Sequence, residues 1–233
     1  MIQHIFLDLD DTIFDFKKAE RIALSRTLRE EGIKPTEQIL NRYSEINLSQ
    51  WKLLELGKLT REEVLVRRYE ILFQEVGMSC DAKKISEKYE DFLGEGHYFI
   101  PGAKELLEDL SKKYHLYLAS NGAVKVQMSR IKSAGIEKYL EKIFLSEQIG
   151  YEKPSPPFFE KCFAQIPDFK KEEALILGDS LTSDIRGGKN AGILTVWFHP
   201  SGKKVEEEIV PDYEIGKLEE LLSLIHISEP TRH

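Results

Sequence analysis

The apolar positions of the chain follow two alternating patterns: short unbroken runs, and longer stretches with an apolar residue at every third or fourth position. The short runs have the length and composition of buried parallel strands. They lie at residues 5–9, 115–120, 142–146, 174–179, 194–198 and 213–215. Helical patterns separate most of them, and this order predicts an α/β fold with a doubly wound, mostly parallel, Rossmann-like sheet.

One long stretch between the first two strands breaks this alternation. Residues 16–96 show helical periodicity and no strand pattern. Helices are predicted there at 16–32, 36–55, 60–77 and 81–95. The third opens with T-R-E-E at residues 60–63, the pattern of a capping box. We therefore expect an α-helical domain inserted into a discontinuous α/β domain made of residues 1–15 and 97–225.

The last eight residues, HISEPTRH at 226–233, follow a predicted helix at 217–225 and have no apolar periodicity. They are either a frayed natural tail or sequence foreign to the protein. We leave them out of the functional interpretation.

Composition narrows the class of protein. The chain has 233 residues, of which 41% are hydrophobic and 31% charged, so it can bury a substantial core. Its net charge of −7 disfavours a nucleic acid polymer as partner, and no apolar run is long enough to cross a membrane.

Cys80 and Cys162 are isolated and no leader pattern precedes the first strand, so reduced thiols and a cytoplasmic location are expected. No exposed apolar stripe stands out, and we expect a monomer or a weak homo-oligomer.

Two aspartates end the first predicted strand. Asp8 and Asp10 are two positions apart, so they point to the same side if the chain remains extended. Two close carboxylates repel each other unless a cation lies between them or one of them holds a proton. A solvated turn with a helix cap is the ordinary alternative.

Three more polar stretches follow predicted strands, where open α/β sheets bind their ligands. The first is Ser120-Asn121-Gly122, which offers a hydroxyl, a side-chain amide and a glycine N–H to phosphoryl oxygens, although S-N-G alone is usually a turn. The second is Lys153, which precedes Pro154 at an expected helix start and is suited to bind a phosphate.

The third stretch is GDSLTSDI, with Asp179 directly after a strand and Asp184 five residues later. Taken alone, Asp184 is better explained as a helix N-cap. Together with Asp8 and Asp10, the two residues form an oxygen-rich site suited to Mg²⁺.

In this order, the motifs D-x-D-x-T, S-N-G, K-P and G-D-x-x-x-x-D resemble the four motifs of the haloacid dehalogenase-like hydrolases. The resemblance extends to about residue 225, and the helical insert resembles the α-helical cap of subfamily IA. It implies a core with strand order 5-4-1-2-3, in which strands one and four are neighbours.

The resemblance also implies roles for the motif residues. Asp8 would be the nucleophile and Asp10 the general acid/base. Ser120 would bind the transferring phosphoryl group and Lys153 would stabilise it. The phosphate site would be completed by Asn121 and Gly122.

The cofactor implied by the resemblance is Mg²⁺. Asp8, the backbone carbonyl of Asp10 and Asp179 would hold the ion, and Asp184 would support them. The expected partner is a small phosphorylated metabolite.

Part of the chain resembles one branch of this superfamily more closely. Residues 46–77, 95–103 and 178–193 are similar to pyrimidine 5′-nucleotidases, most clearly in N-x-x-x-W (Asn47 and Trp51) and in G-K-L-T-R-E-E. The substrate implied by this likeness is a pyrimidine nucleoside monophosphate.

The residues that would contact the base are open. Candidates are Asn47, Trp51, Arg67, His97 and Phe16. A core position is the stronger explanation for Trp51. His97 is better explained as a hinge residue, and Arg67, with its neighbour Arg68, as part of a solvated helix face.

Several other functions compete with this interpretation. A phosphatase of small sugar phosphates and a β-phosphoglucomutase-like phosphomutase would need the same four motifs. A phospho-accepting signalling module uses similar residues but is about half as long and has no cap. A dehalogenase would have no use for Asp10 and Asp179, and an inactive binding protein is disfavoured because no motif residue is missing.

Overall fold

The structure is a computed structural model, and it describes residues 1–202 and 208–227. The chain forms two compact units. The α/β unit consists of residues 1–15, 99–124 and 134–233. The helical unit consists of residues 16–98 and 125–133.

The α/β unit is built on one sheet. Its strands are β1 (His4–Leu7), β2 (His115–Ser120), β3 (Lys142–Leu145), β4 (Ala174–Gly178), β5 (Leu194–Phe198) and β6 (Tyr213–Ile215). Within the described residues their order is β3-β2-β1-β4-β5-β6, and every neighbouring pair is parallel. β1 therefore lies between β2 and β4, where the winding direction reverses. The predicted α/β fold and the neighbouring positions of the first and fourth strands are confirmed.

The helical unit contains α1 (Phe16–Glu30), α2 (Glu37–Glu55), α3 (Arg61–Glu75) and α4 (Ala82–Leu93). At the start of α3, Thr60 Oγ1 accepts the Glu63 N–H and the Glu63 carboxylate accepts the Thr60 N–H. The predicted capping box is therefore present. It satisfies two backbone donors that would otherwise lack helical partners.

The remaining helices connect the strands. They are α5 (Ala103–Leu110), α6 (Val124–Ala134), α7 (Ser146–Ile149), α8 (Pro156–Phe163), α9 (Arg186–Ala191) and α10 (Glu220–Ile227). Short 3-10 turns lie at Glu137–Tyr139 and Lys171–Glu173, and a π-helical turn lies at Leu181–Ile185. α10 starts and ends later than the helix predicted at 217–225, and residues 228–233 of the predicted tail lie outside the described residues.

The division into units differs from the predicted domain bounds at two places. Residues 97–98 and 125–133 belong to the helical unit and not to the α/β unit. Residues 125–133, which are part of α6, belong to the helical unit because they form hydrogen bonds with it. Ser129 Oγ donates to the Gly94 carbonyl and Arg130 Nε donates to the Gly96 carbonyl. Such contacts between distant segments leave no periodic pattern in the sequence.

Both faces of the sheet are covered, because successive residues of β1 and β4 are all buried. An aromatic cluster fills one face, where Phe158, Phe159 and Phe163 of α8 pack with Phe6 and Phe144 from the strands. α8 starts at Pro156, two residues after the predicted start at Pro154. Proline suits the first helical position because that residue needs no N–H partner.

Candidate active site

Asp8 directly follows β1 and extends its pairing, since its N–H donates to the Leu177 carbonyl of β4 at 2.9 Å. Its side chain lies among buried groups and is only 10% exposed. The chain then turns sharply: the N–H groups of Ile13 and Phe14 both donate to the Leu9 carbonyl, and Asp11 adopts a φ of +55°. Asp10, inside this turn, is half-buried.

Lys153 is the central cation of the site and its side chain is 1% exposed. Its Nζ donates to Asp8 Oδ1 at 2.7 Å, to Asp184 Oδ1 at 2.6 Å and to the Ala119 carbonyl at 2.6 Å. An ammonium group has three donors, and these contacts use all of them. Residues from three distant segments thus meet at one nitrogen at the carboxyl end of the sheet.

The S-N-G stretch at the end of β2 contacts this lysine through Asn121. The Asn121 side chain makes two hydrogen bonds to the backbone of Lys153, accepting from its N–H and donating to its carbonyl, both at 2.9 Å. Ser120 is buried, and its Oγ accepts the Gly122 N–H at 3.1 Å. The structure therefore uses the Asn121 amide to position Lys153, a contact that the sequence analysis did not foresee.

Three carboxylates converge beside the lysine. One oxygen each from Asp8, Asp179 and Asp184 lie within 4.8 Å of one another. Several hard oxygen donors at this spacing fit the ligand preference of Mg²⁺. The carboxylate of Asp10 is not part of this group of described residues. Asp184, predicted only to support the site, contributes an oxygen to the cluster itself.

Asp184 is held in place by the turn that follows β4. Its Oδ2 accepts the Ser180 N–H at 3.1 Å, and its side chain is 1% exposed. The N-cap of this turn is Ser180, whose side chain accepts the Ser183 N–H. The alternative in which Asp184 is itself the N-cap is therefore wrong.

Gly178 makes room for that carboxylate. A Cβ on Gly178 would lie 2.2 Å from Asp184 Oδ2 and 2.3 Å from its Cγ, far inside van der Waals contact. Only a glycine permits Asp184 to lie directly over the end of β4, where it meets Lys153.

We expect Gly178→Ala to destabilise the protein by roughly 1–3 kcal/mol, because the buried carboxylate must move away from its ammonium partner. The same displacement should lower any activity that depends on the cluster by more than about tenfold. Thermal unfolding and a rate assay check both effects. Gly216→Ala is the matched control, since a Cβ at Gly216 meets no atom of the described residues within 4 Å. Equal behaviour of the two variants would contradict the packing argument.

The electrostatics of the site favour an added cation. Burial raises the pKa of Asp8 above its ordinary value, and Asp184 and Asp10 raise it further against the opposing effect of Lys153. Burial alone would lower the pKa of Lys153, but Asp184 and Asp8 outweigh burial and raise it. One ammonium thus contacts two carboxylates of a three-carboxylate cluster, and a divalent ion would neutralise the excess negative charge.

In the helical unit, Asn47 is the centre of a second buried network. Its Nδ2 donates to Glu20 at 2.6 Å, and its Oδ1 accepts from Arg68 Nη1 and from Trp51 Nε1, both at 3.0 Å. Asn47 is 3% exposed, whereas Trp51 is half-buried. The Asn47 amide thus holds the indole edge of Trp51. The guanidinium of Arg61 lies 5.7 Å from the centre of the Trp51 ring.

The other residues of the helical unit that were candidates for contact with the base have different environments. Arg67 is exposed as expected for a solvated helix face, but Arg68 is 2% exposed, so that interpretation of Arg68 is wrong. Arg68 Cζ lies 5.2 Å from the centre of the Tyr69 ring and 5.0 Å from the centre of the Tyr89 ring. These aromatic faces and Asn47 replace the water that the guanidinium would otherwise bind. His97 and Phe16 are half-buried, and His97 Nδ1 contacts the Glu95 carbonyl at 2.9 Å.

The profile of one protein family, the haloacid dehalogenase-like hydrolases, matches residues 5–198. The chain belongs to this family. The match includes all of β1 except its first residue, all of β2 to β5, and all the motif residues of the candidate site. The prediction of an enzyme of this hydrolase family is therefore confirmed.

Three relatives resemble the chain over nearly their whole length. The HAD-hydrolase YfnB of Bacillus subtilis is 40% identical over 96% of this chain and 95% of its own. Pyrimidine 5′-nucleotidase PynA of Streptococcus pneumoniae is 36% identical over 95% of this chain and 94% of its own. Pyrimidine 5′-nucleotidase YjjG of Escherichia coli is 26% identical over 95% of this chain and 96% of its own.

One solved structure of the family is especially similar. The crystal structure of YfnB bound to magnesium aligns with a TM-score of 0.92, covering 96% of this chain and 98% of that one. The fold predicted for the family is therefore the observed fold. None of the helices in the part of the chain that the structure describes is long and apolar enough to cross a membrane.

Sequence reasoning missed the buried Glu20 of the helical unit and assigned the buried Arg68 to a solvated helix face. Glu20 lies on the same face of α1 as Ala23, Leu24 and Thr27, all of which are buried. This i, i+3, i+4 and i+7 spacing was the available signal, because it places a carboxylate on the apolar side of a helix.

Proposed function

We propose that this chain is a Mg²⁺-dependent phosphomonoesterase that forms an aspartyl phosphate on Asp8 and acts on pyrimidine nucleoside 5′-monophosphates. The observation that carries the proposal is the buried contact of Lys153 with Asp8 and Asp184, next to Asp179. It combines a carboxylate nucleophile, a cation for phosphate and an oxygen-rich ion site. The relatives named as pyrimidine 5′-nucleotidases support the substrate class.

The oxygen donors fit Mg²⁺, and Asp8, Asp179, Asp184 and the backbone carbonyl of Asp10 would hold it. When bound, the ion would offset the negative charge of the phosphate and of the nucleophile. The Lys153 ammonium adds a fixed positive charge 2.7 Å from Asp8, so that a phosphate dianion can approach a carboxylate. Asn121 keeps Lys153 in place through its backbone.

In the first step, an oxygen of Asp8 bonds to phosphorus while the bond from phosphorus to the ester oxygen breaks. Asp10 gives its proton to the leaving alcohol. In the second step, Asp10 takes a proton from water, the water oxygen bonds to phosphorus, and the Asp8 carboxylate is released with inorganic phosphate as product. The half-buried position of Asp10 suits a group that exchanges protons with both the leaving group and water.

We further propose that the helical unit contributes to substrate binding through the ring of Trp51. Its indole edge is held by Asn47, which leaves the ring as the part of the side chain suited to stack on a flat pyrimidine. Asn47 acts as a positioning residue in this proposal and does not read the base itself.

The proposal is tested by measuring phosphate release with Mg²⁺ from UMP, dUMP, dTMP, purine nucleotides and sugar phosphates. We expect kcat/KM for the pyrimidine nucleotides to be at least about tenfold higher than for the other substrates. Excess EDTA should abolish release, and added Mg²⁺ should restore it.

Each alternative has its own outcome. A sugar phosphate as best substrate would retain the phosphatase and refute the nucleotidase. A requirement for a bisphosphate activator would indicate a phosphomutase, and a long-lived phosphorylated Asp8 without turnover would indicate a signalling module. Undiminished activity in EDTA would refute the metal assignment.

A further inference from the structure

Trp197 is a large side chain whose ring lies beside the acidic cluster but outside it. It belongs to β5, where it is the register partner of Gly178 in β4. The ring is buried, with 8% of the residue exposed, and its Nε1–H donates to the backbone carbonyl of Asp179 at 2.7 Å. A buried indole N–H needs a partner, and here that partner belongs to the residue that supplies one of the clustered carboxylates.

The same ring also contacts the turn that carries Asp184. Trp197 packs with Leu181 and Ile185, the first and last residues of that π-helical turn. One side chain thus contacts the backbone of Asp179 through a hydrogen bond and both ends of the Asp184 turn through its ring. Trp197 therefore links the two segments that carry Asp179 and Asp184.

The indole is itself held from another side. The His199 ring stacks on Trp197 with centroids 3.9 Å apart and planes 18° apart. His199 Nδ1 contacts Glu214 Oε1 at 2.9 Å, and its Nε2 contacts Ser201 Oγ at 2.6 Å. Glu214 is the register partner of Trp197 on β6, so this support extends from the neighbouring strand to the Asp179 carbonyl.

We propose that Trp197 is a positioning residue for the divalent-cation site formed by Asp8, Asp179 and Asp184, with its indole N–H holding the Asp179 backbone and His199 holding the indole. The inference rests on the cation binding of the proposed function. Partners that orient metal ligands typically account for about 10–100-fold in metal affinity. Loss of this single N–H belongs at the lower end of that range.

The chain has two tryptophans, and this permits a matched experiment. Trp197→Phe removes the N–H donor and keeps an aromatic ring, and Trp51→Phe makes the same change in the helical unit. Titration calorimetry with Mg²⁺ or Mn²⁺, without substrate, gives the Kd of the metal directly. We expect Trp197→Phe to raise this Kd about tenfold. We expect Trp51→Phe to leave it unchanged.

Two further readouts separate positioning from general damage. In Trp197→Phe, kcat should return toward the wild-type value at high Mg²⁺, with KM for substrate unchanged at saturating metal. In Trp51→Phe, where Trp197 is the remaining tryptophan, its fluorescence should change on adding Mg²⁺. In Trp197→Phe, the fluorescence of Trp51 should not respond to the ion.

The outcomes are distinct. If the wild-type protein binds neither Mg²⁺ nor Mn²⁺, the proposed function itself fails. If the wild type binds the ion and Trp197→Phe binds it equally well, the positioning role is overturned while the proposed function stands. Should Trp197→Phe not fold, His199→Ala removes the stacked ring and keeps the indole. That variant should raise the metal Kd by less than the roughly tenfold expected for Trp197→Phe, and an unchanged Kd there would overturn the proposal.

Discussion

Asp8→Asn is expected to lower phosphate release by roughly a thousandfold or more while the protein stays folded. The substitution keeps the size of the side chain but removes the carboxylate oxygen that would bond to phosphorus. Stability should not suffer, because Lys153 keeps its second carboxylate partner at 2.6 Å and the repulsion between Asp8 and Asp184 disappears. Without metal, the melting temperature should equal or exceed that of the wild type. Rate measurements and thermal unfolding test both parts.

The matched control for this variant is Asp11→Asn, three residues along the same turn. Asp11 has a φ of +55°, a conformation that asparagine tolerates well, so the turn should persist. We expect that variant to retain most of its activity. If Asp8→Asn turned over at the wild-type rate, Asp8 would not be the nucleophile. Detection of phosphorylated Asp8 in wild-type protein quenched with acid during turnover would provide independent support.

Lys153→Met is expected to abolish activity and also to destabilise the fold. The ammonium is buried with Asp8 and Asp184, and its removal leaves two nearby carboxylates without their cation. Breaking a buried ion pair from one side costs about 3–5 kcal/mol. For a chain of this size, that loss lowers the melting temperature by roughly 6–20 °C. Added Mg²⁺ should recover part of the stability, since it would supply positive charge to the same carboxylates.

Lys170→Met is the control for the loss of a lysine charge. The Lys170 side chain is 57% exposed and pairs with Glu173 at 3.3 Å. Exposed pairs of this kind contribute little because water and salt screen them, so we expect wild-type stability and activity. A melting temperature of Lys153→Met equal to that of Lys170→Met would refute the electrostatic role of Lys153.

Much of the α/β unit was predictable because buried parallel strands leave a direct trace in the sequence. β2, β5 and β6 have the predicted bounds, and the other strands differ by one or two residues. A strand covered on both faces must be apolar at every position, so its carboxyl end is visible where polar residues begin. This is why Asp8 and Asp179 could be assigned to one edge of the sheet.

The helical insert was predictable for a related reason, since helical periodicity and a capping box are local features. The assignment of residues 125–133 to the helical unit was not, because it depends on contacts of Arg130 and Ser129 with a segment more than thirty residues away. Glu20 was missed, and Arg68 was assigned to a solvated helix face, because charged residues are normally exposed. Their burial is possible only where partners such as Asn47 satisfy them.

The sequence by itself determined the fold class and the identity of the polar residues that gather at one edge of the sheet, whereas the strand order was implied by the family resemblance. The first two properties follow from hydrophobic patterning and from motif order along the chain. Only the tertiary structure decided how each polar group is used: Asn121 holds Lys153, Gly178 admits Asp184, and Trp197 holds the Asp179 carbonyl. A buried donor must find an acceptor somewhere in the folded chain, and which one it finds depends on three-dimensional proximity that no local pattern encodes.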